Sequence, residues 1–225
     1  KINLTIPVNS IIGLAGATGS GKTTLVDIIL GLLEAQEGKL IVDNKIIKAD
    51  NRREWQNTIG YVPQSIYLSD DSITANIAFG VEPKNVDKDA VELAAKIANI
   101  HNFINIDLPN GYKTIVGDRG ARLSGGQIQR IGIARALYHR PKVLILDEAT
   151  SALDGLTEDK IIKEVLNLKD KITIILIAHR LNTLQSCKEI YFFENGKVKT
   201  QGTFDYILEH NENFKEMVRL GKESS

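Results

Sequence analysis

The stretch Ile11-Ile-Gly-Leu-Ala-Gly-Ala-Thr-Gly-Ser-Gly-Lys-Thr-Thr24 decides the fold of this chain. It begins with an apolar run, Ile11–Ala15, that stops at Gly16, and apolar residues recur at helical spacing from about Lys22 to Leu33. A short apolar run that ends at glycine is typical of a buried strand, whereas the later spacing indicates an amphipathic helix. We therefore expect a strand, a glycine-rich loop and a helix in direct succession.

The loop Gly16–Thr23 matches the P-loop pattern, and the flanking strand and helix argue against a chance glycine-rich turn. Glycines let the backbone curl so that N–H groups point at phosphate oxygens, and the following helix adds the positive end of its dipole. Lys22 is expected to neutralise the β- and γ-phosphates of a nucleotide, and the Thr23 hydroxyl to bind Mg²⁺. The predicted nucleotide-binding residues are Gly16, Ala17, Thr18, Gly19, Ser20, Gly21, Lys22, Thr23 and Thr24.

A second apolar run, Val143–Leu146, is followed by the two acids Asp147 and Glu148. At the carboxyl end of a buried strand, Asp147 is placed to hold Mg²⁺ together with Thr23, directly or through water. Glu148 is then placed to orient an attacking water or to accept its proton. Adjacent acids also cap helix N-termini, but a P-loop in the same chain favours the catalytic interpretation.

Two further polar residues follow predicted strands. His179 comes after Ile172–Ala178, at the sheet edge where open α/β folds bind ligands, and is predicted to contact the γ-phosphate. Gln64 follows the strand Ile59–Val62, where its amide can contact Mg²⁺ or the water. The predicted catalytic residues are therefore Glu148, His179 and Gln64, and the predicted metal ligands are Thr23, Gln64 and Asp147.

The remaining pattern predicts an α/β core interrupted by helices. Tight hairpins are expected at Asp43-Asn44 and Asn195-Gly196, a strand–helix–strand unit over residues 143–177, and a strand at Lys1–Val8, where apolar and polar residues alternate. Helices are predicted at residues 73–79, 88–99, 125–138, 156–168, 203–209 and 213–220. The predicted division places residues 1–64 and 141–225 in the core and about 65–140 in a helical subdomain.

Composition excludes several classes of function. The 225 residues include 28 Lys plus Arg and 28 Asp plus Glu, so no net field attracts nucleic acid, and no nucleic-acid partner is predicted. The single cysteine, Cys187, excludes an intrachain disulfide and fits a reducing compartment. No apolar run approaches the roughly 20 residues that a membrane-spanning helix needs, so the chain itself is expected to be soluble.

The segment Leu123-Ser-Gly-Gly-Gln127 resembles the signature sequence of the ABC ATPases. The other motifs of that family occur in the same order, namely a P-loop at Gly16–Thr23, a Q-loop at Gln64, the signature at Leu123–Gln127, a Walker B segment at Val143–Glu148, a D-loop at Ser151–Asp154 and a switch histidine at His179. The resemblance covers nearly the whole chain and implies ATP and Mg²⁺ as cofactors. It implies a P-loop ABC ATPase core, with a mixed sheet and an antiparallel β subdomain, plus a helical subdomain that carries the signature.

The signature residues open a predicted helix and so offer a second anion site without a lysine. The alternative is a good N-cap followed by flexible glycines. The resemblance implies that two identical chains pair head to tail, with Asp154 and Ser151 at the seam. The residues of one chain that would then cap the γ-phosphate bound to the other are Ser124, Gly125, Gly126 and Gln127.

Two segments resemble the parts of ABC exporters that contact a transmembrane domain. These are Thr114–Gly120 and Gln64–Asp71, the latter with Ile66, Tyr67 and Leu68 expected to be exposed rather than in a core. The adenine-stacking aromatic of the family would lie before Lys1. The chain is therefore expected to be one domain of a longer polypeptide, working at the cytoplasmic face of a bacterial inner membrane.

The resemblance implies ATP hydrolysis that powers export or lipid flipping. General similarity is greatest to half-transporters that flip lipid-linked oligosaccharides, while exporters of other lipids, peptides, drugs or polysaccharides stay open. A non-transport ABC ATPase is a second alternative, although long coiled-coil inserts and basic surfaces are lacking. A binding module that does not hydrolyse ATP is a third, and such a module would be expected to lose Glu148 or His179.

Overall fold

A computed structural model describes residues 2–149, 155–168, 171–177 and 181–223 of the chain. The predictions made for Ser151, Asp154 and His179 fall outside these residues. The chain divides into two compact units, a first unit of Lys1–Ile59 with Thr173–Ser225 and a second unit of Gly60–Ile172.

From residue 11 onward, the predicted strands and helices of the described residues occur in the predicted order, and two short helices, Arg52–Gln56 and His101–Ile106, were not predicted. The strands are β1 (Ile11–Gly16), β2 (Ile41–Val42), β3 (Lys45–Ile46), β4 (Ile59–Val62), β5 (Val143–Asp147), β6 (Thr173–Ile177), β7 (Glu189–Glu194) and β8 (Lys197–Gly202). The helices are α1 (Lys22–Ile29), α2 (Arg52–Gln56), α3 (Ile73–Ile77), α4 (Lys88–Ile97), α5 (His101–Ile106), α6 (Gly125–Tyr138), α7 (Gly155–Leu166), α8 (Phe204–His210) and α9 (Glu212–Glu223). None of the helices in the described residues combines the length and the apolar character that crossing a membrane requires.

The first unit is built on strands in the order β6-β1-β7-β8. Strand β1 pairs in parallel with β6 and β7, while β7 and β8 are antiparallel. Every residue of β1 and β6 is buried, as expected of aliphatic strands that are covered on both faces. With the small antiparallel pair β2–β3, this arrangement confirms the predicted mixed α/β fold.

Both predicted hairpins form because their turn residues adopt left-handed conformations. Asp43 and Asn44 have φ values of 47° and 65°, and Asn195 and Gly196 have values of 47° and 72°. Positive φ at both central residues is the type I′ geometry, whose twist matches that of the flanking strands. The prediction of a strand at Lys1–Val8 was wrong, since residues 2–8 contain none and Val8 is 78% exposed. Of the alternating apolar side chains, Leu4 and Ile6 are half-buried, and Ile2 and Val8 are exposed.

Helix α1 is shorter than predicted because Gly31, with a φ of 69°, follows its last turn, and the N–H groups of Gly31 and Leu32 turn back to the carbonyls of Ile28 and Asp27. Two side chains of α2 bind the carbonyl groups at this end. The indole Nε1 of Trp55 donates to the Ile29 carbonyl at 2.6 Å, and Nε2 of Gln56 donates to the Leu30 carbonyl at 3.0 Å. The final carbonyls of a helix lack partners within the helix, so these side chains stabilise its end. Leu32, inside the predicted helix, lies beyond that end and is 62% exposed.

Cys187 is buried beside Gly13 of β1, and burial raises the pKa of its thiol to about 12. The thiolate is the reactive form, so at pH 8 the folded chain holds its cysteine as the unreactive thiol. We expect Ellman's reagent to label the folded chain roughly 10³-fold more slowly at pH 8 than the chain in urea, where the thiol pKa is about 8.5. Equal rates in the two conditions would show that the thiol is accessible.

The second unit packs helices around α6. Helices α3 and α4 contact α6, and β4 lies beside β5. The bounds of α6 are those predicted, and α5 was missed because its short sequence carries no clear helical spacing. Gly60 of β4 lies so close to α6 that a Cβ atom there would be 2.4 Å from the Ala136 carbonyl oxygen.

Candidate phosphate and carboxylate sites

The glycine-rich loop joins β1 to α1 through backbone conformations that favour glycine. Gly16, Gly19 and Gly21 have φ values of 143°, 78° and 102°. A Cβ atom on Gly16 would lie 2.4 Å from the Phe193 carbonyl oxygen, so no other residue fits there unless the backbone moves. The N-cap residue of α1 is Gly21, which has no side chain to cap the first turn. The amino end of α1 thus stands at the loop, as phosphate binding requires.

The Lys22 ammonium lies against this loop. Its Nζ donates hydrogen bonds to the carbonyl oxygens of Gly16 at 2.7 Å and Ala17 at 3.0 Å, and to Ser20 Oγ at 3.4 Å. Lys22 and the exposed hydroxyl-bearing residues Thr23 and Thr24 form the first turn of α1. The predicted nucleotide-binding residues Gly16–Thr24 are thus brought together within the first unit.

The hairpin turn between β7 and β8 supports the loop from outside the motif. The backbone N–H of Gly196 donates to the Ser20 carbonyl at 3.0 Å, and a Cβ on Gly21 would lie 3.4 Å from the Gly196 Cα. Sequence reasoning predicted the hairpin but not this contact. Its turn is fixed by local chemistry, whereas its place beside Ser20 depends on the pairing of β1 with β7.

The two acids lie at the end of β5 in the second unit. Asp147 is 9% exposed, and its Oδ2 accepts a hydrogen bond from the Tyr61 hydroxyl at 3.3 Å. Glu148 has a φ of 52°, and its Oε2 accepts a hydrogen bond from Gln64 Nε2 at 2.5 Å. A positive φ is uncommon outside glycine, and such strain persists where the surrounding structure imposes it, often at functional sites.

The end of a strand positions the two acids, since Asp147 is the last residue of β5 and Glu148 follows it directly. Their catalytic role stays a prediction. Gln64, Asp147 and Glu148 form one cluster in the second unit. Sequence reasoning missed Tyr61 as a member, although its position on β4 beside β5 gave a signal once the strand order was known.

The signature residues form a capping box at the start of α6. Ser124 Oγ accepts from the Gln127 N–H at 3.3 Å, and the Ser124 N–H donates to Gln127 Oε1 at 2.7 Å. The N-cap alternative is therefore correct as a description of this chain. Ser124 and Gly125 are also exposed, so the amino end of this 14-residue helix is open to an anion.

The segments predicted to contact a transmembrane domain are joined by backbone hydrogen bonds. The Ile73 N–H donates to the Thr114 carbonyl at 3.0 Å, and the Val116 N–H donates to the Asp71 carbonyl at 3.1 Å. Gln64–Asp71 and Thr114–Gly120 therefore lie side by side in the second unit.

The expected exposure of the apolar residues in Gln64–Asp71 is right in only one case. Tyr67 is 60% exposed, whereas Leu68 is fully buried and Ile66 is half-buried. The prediction was wrong for Leu68 because its side chain packs beside Gly120.

The chain resembles known proteins over most of its length. The family model described as "ABC transporter" matches residues 1–151. The chain is 39% identical over 219 residues to ABC transporter B family member 28 of Arabidopsis thaliana, covering 96% of this chain and 30% of that protein. It is 41% identical over 210 residues to the ATP-dependent lipid A-core flippase of Saccharophagus degradans, covering 93% of this chain and 35% of the flippase.

A solved structure extends the similarity to the fold. The structure of a bacterial Atm1-family ABC exporter with ATP bound matches with a TM-score of 0.88 and 34% identity, covering 96% of this chain and 37% of that one. The chain thus spans about a third of the length of these relatives.

Proposed function

Because the chain belongs to the ABC transporter family as a nucleotide-binding domain of the exporter type, we propose that it binds and hydrolyses Mg-ATP to power transport. The observation that carries the proposal is the contact between Gln64 Nε2 and Glu148 Oε2 at 2.5 Å, beside the buried Asp147. An amide that holds a carboxylate in place next to a second carboxylate is an arrangement suited to orienting a water for attack on a phosphoryl group.

ATP binding is assigned to the loop Gly16–Thr24. Its N–H groups and the amino end of α1 bind the phosphate oxygens, and Lys22 supplies the positive charge. Oxygen donors are what Mg²⁺ prefers, and the hydroxyl, amide and carboxylate of Thr23, Gln64 and Asp147 fit that preference. The bound ion would neutralise charge on the β- and γ-phosphate oxygens.

Hydrolysis is assigned to Glu148, which accepts the proton of the attacking water. Gln64 orients the Glu148 carboxylate through the hydrogen bond from its amide. His179 is proposed to contact the γ-phosphate, and it lies outside the described residues. The strained backbone of Glu148 is consistent with a carboxylate held for chemistry rather than for stability.

A second copy of the chain is proposed to complete the site. The exposed amino end of α6, with Ser124, Gly125, Gly126 and Gln127, would cap the γ-phosphate bound to the partner, and Asp154 would lie at the seam. The capping box keeps these residues ordered for that role.

A transmembrane domain is proposed to dock on the paired segments Gln64–Asp71 and Thr114–Gly120. The cargo proposed first is a lipid-linked oligosaccharide, moved at the cytoplasmic face of a bacterial inner membrane. The lipid class of cargo is supported by the similarity to a lipid A-core flippase. A transport assay with peptides, drugs or polysaccharides would reveal whether the cargo is one of those compounds instead.

Phosphate release from Mg-ATP tests the proposed function. We expect turnover per chain to rise with chain concentration, because each site needs the signature residues of a second copy. The measurement is the steady-state rate over a dilution series of the 225-residue chain, with the rate at saturating ATP compared at each concentration. No ATP-dependent phosphate release at any concentration would refute hydrolysis, and a turnover independent of concentration would refute the shared site.

A further inference from the structure

The segment Ile66–Leu68 is attached to α6 and to the turn before it at three successive residues. Ile66 sits over Gly132, where a Cβ atom would lie 2.2, 2.9 and 3.1 Å from three Ile66 side-chain carbons, Cδ1, Cγ1 and Cγ2. The Tyr67 carbonyl accepts a hydrogen bond from Arg135 Nη1 at 2.9 Å. Leu68 is fully buried and packs with Ile128 over Gly120.

Arg135, which binds the Tyr67 carbonyl, is itself held in place by further contacts. Nε of Arg135 donates to the Asn76 carbonyl at 2.8 Å, and its guanidinium carbon lies 4.8 Å from the centre of the Phe79 ring. The fully buried Asn76 side chain in turn accepts from the Ser69 N–H at 3.0 Å and donates to the Ser69 carbonyl at 3.0 Å. The segment after Gln64 is therefore a fixed part of the second unit.

We propose that Gly132 is a positioning residue for ATP hydrolysis, acting through Ile66 on Gln64 and so on Glu148; this inference rests on the proposed function. Gln64 lies just before the attached segment, and its amide is 2.5 Å from Glu148 Oε2. The packing of Ile66 against Gly132 thus sets the distance between Gln64 and Glu148. Because α6 also begins at the signature, a shift of this helix would reach Gln64 through packed side chains.

A methyl group at position 132 would disturb the packing of Ile66 without weakening the helix. Alanine favours a helix interior more than glycine does. Three carbons of Ile66 lie within 3.1 Å of the added Cβ, so rotation of the terminal methyl alone cannot relieve the clash. We expect the whole Ile66 side chain to be displaced from Gly132 and to draw the neighbouring Gln64 with it.

The test compares Gly132→Ala, Ile66→Ala and the double variant in the 225-residue chain, each with and without Gln64→Ala. We expect Gly132→Ala to lower kcat on the order of tenfold, since a misplacement of about 1 Å can cost about 10²-fold. ATP affinity should be unchanged when equilibrium binding is measured without Mg²⁺, a condition in which the proposed metal ligand Gln64 makes no contribution. The double variant should recover part of the loss, because Ile66→Ala removes the carbons that clash with the new methyl. In the Gln64→Ala background, Gly132→Ala should cause no further loss.

Hydrogen exchange of the peptide covering residues 64–72 provides a readout that does not depend on activity. We expect faster exchange there in Gly132→Ala and in Ile66→Ala, but not in the control Leu93→Ala, whose side chain is 50% exposed on α4. If Gly132→Ala leaves the exchange of this peptide unchanged, Gly132 does not position Ile66. An equal loss of kcat with and without Gln64 would show that Gly132 acts by another route. If the wild-type chain releases no phosphate from ATP, the proposed function is refuted. The exchange comparison would still decide whether Gly132 positions Ile66.

Discussion

Replacing Glu148 by glutamine is expected to lower ATP turnover by about 10²–10⁴-fold, the usual loss when a general base is removed. The amide is nearly the same size as the carboxylate, and the positive φ of 52° is no harder for glutamine than for glutamate. A hydrogen bond from Gln64 to the new side-chain oxygen can persist. The change therefore removes the group that accepts the proton and leaves the local structure in place.

ATP binding should be retained in Glu148→Gln, because the loop Gly16–Thr24 is unchanged. The measurements are single-turnover phosphate release and ATP affinity by titration calorimetry. Glu92→Gln is a matched control, since it removes the same charge from α4, where the carboxylate pairs with Lys96 at 2.6 Å. If Glu148→Gln turns over ATP at a rate close to that of Glu92→Gln, Glu148 is not the group that activates water.

The sequence predicted best those features that depend on short stretches of chain. The turn at Asn195-Gly196 forms as expected because the two residues accept positive φ at low cost. Ser124 caps α6, as the N-cap alternative predicted, because its hydroxyl reaches the N–H of Gln127, three residues along the chain. The strand, loop and helix around Gly16–Thr23 likewise follow from a contiguous motif.

Features that depend on contacts between distant residues could not be predicted in the same way. Trp55 and Gln56 bind the last carbonyl groups of α1, which lie 26 residues earlier in the sequence. Leu68 looked exposed by sequence but is buried because Gly120 leaves room for it. Tyr61 contacts Asp147 only because β4 lies beside β5. In each case the deciding partner is set by packing, which local residue patterns do not encode.

The candidate site also contains some features that the sequence predicted and others that it did not. Gln64, Asp147 and Glu148 were singled out by motifs, but the hydrogen bond from Gln64 to Glu148 was not predicted. The left-handed backbone of Glu148 had no signal in the sequence, because glutamate does not favour that conformation. The structure around the residue, rather than its own preference, imposes it.

Replacing Lys22 by methionine is expected to weaken ATP binding by roughly tenfold to 10²-fold. Methionine keeps most of the side-chain length but removes the charge, and hydrogen bonds to charged groups contribute about 1.5–3 kcal/mol each, where 1.4 kcal/mol is tenfold in affinity. The same change removes the hydrogen bonds from Nζ to the carbonyl oxygens of Gly16 and Ala17. The loop itself should therefore also become less ordered.

Two controls separate the charge from the loop structure. Lys22→Arg keeps a cation but spreads it over a planar group that cannot reproduce the compact ammonium, so it should bind ATP more weakly than the wild type and more tightly than Lys22→Met. Lys199→Met removes an exposed charge from β8 and should leave affinity unchanged. The measurement is the ATP dissociation constant for each variant, with thermal unfolding recorded in the absence of nucleotide. If Lys22→Met and Lys199→Met bind ATP equally well, the phosphates do not depend on Lys22. If Lys22→Met loses affinity only in proportion to its loss of thermal stability, the lysine acts by holding the loop rather than by contacting phosphate.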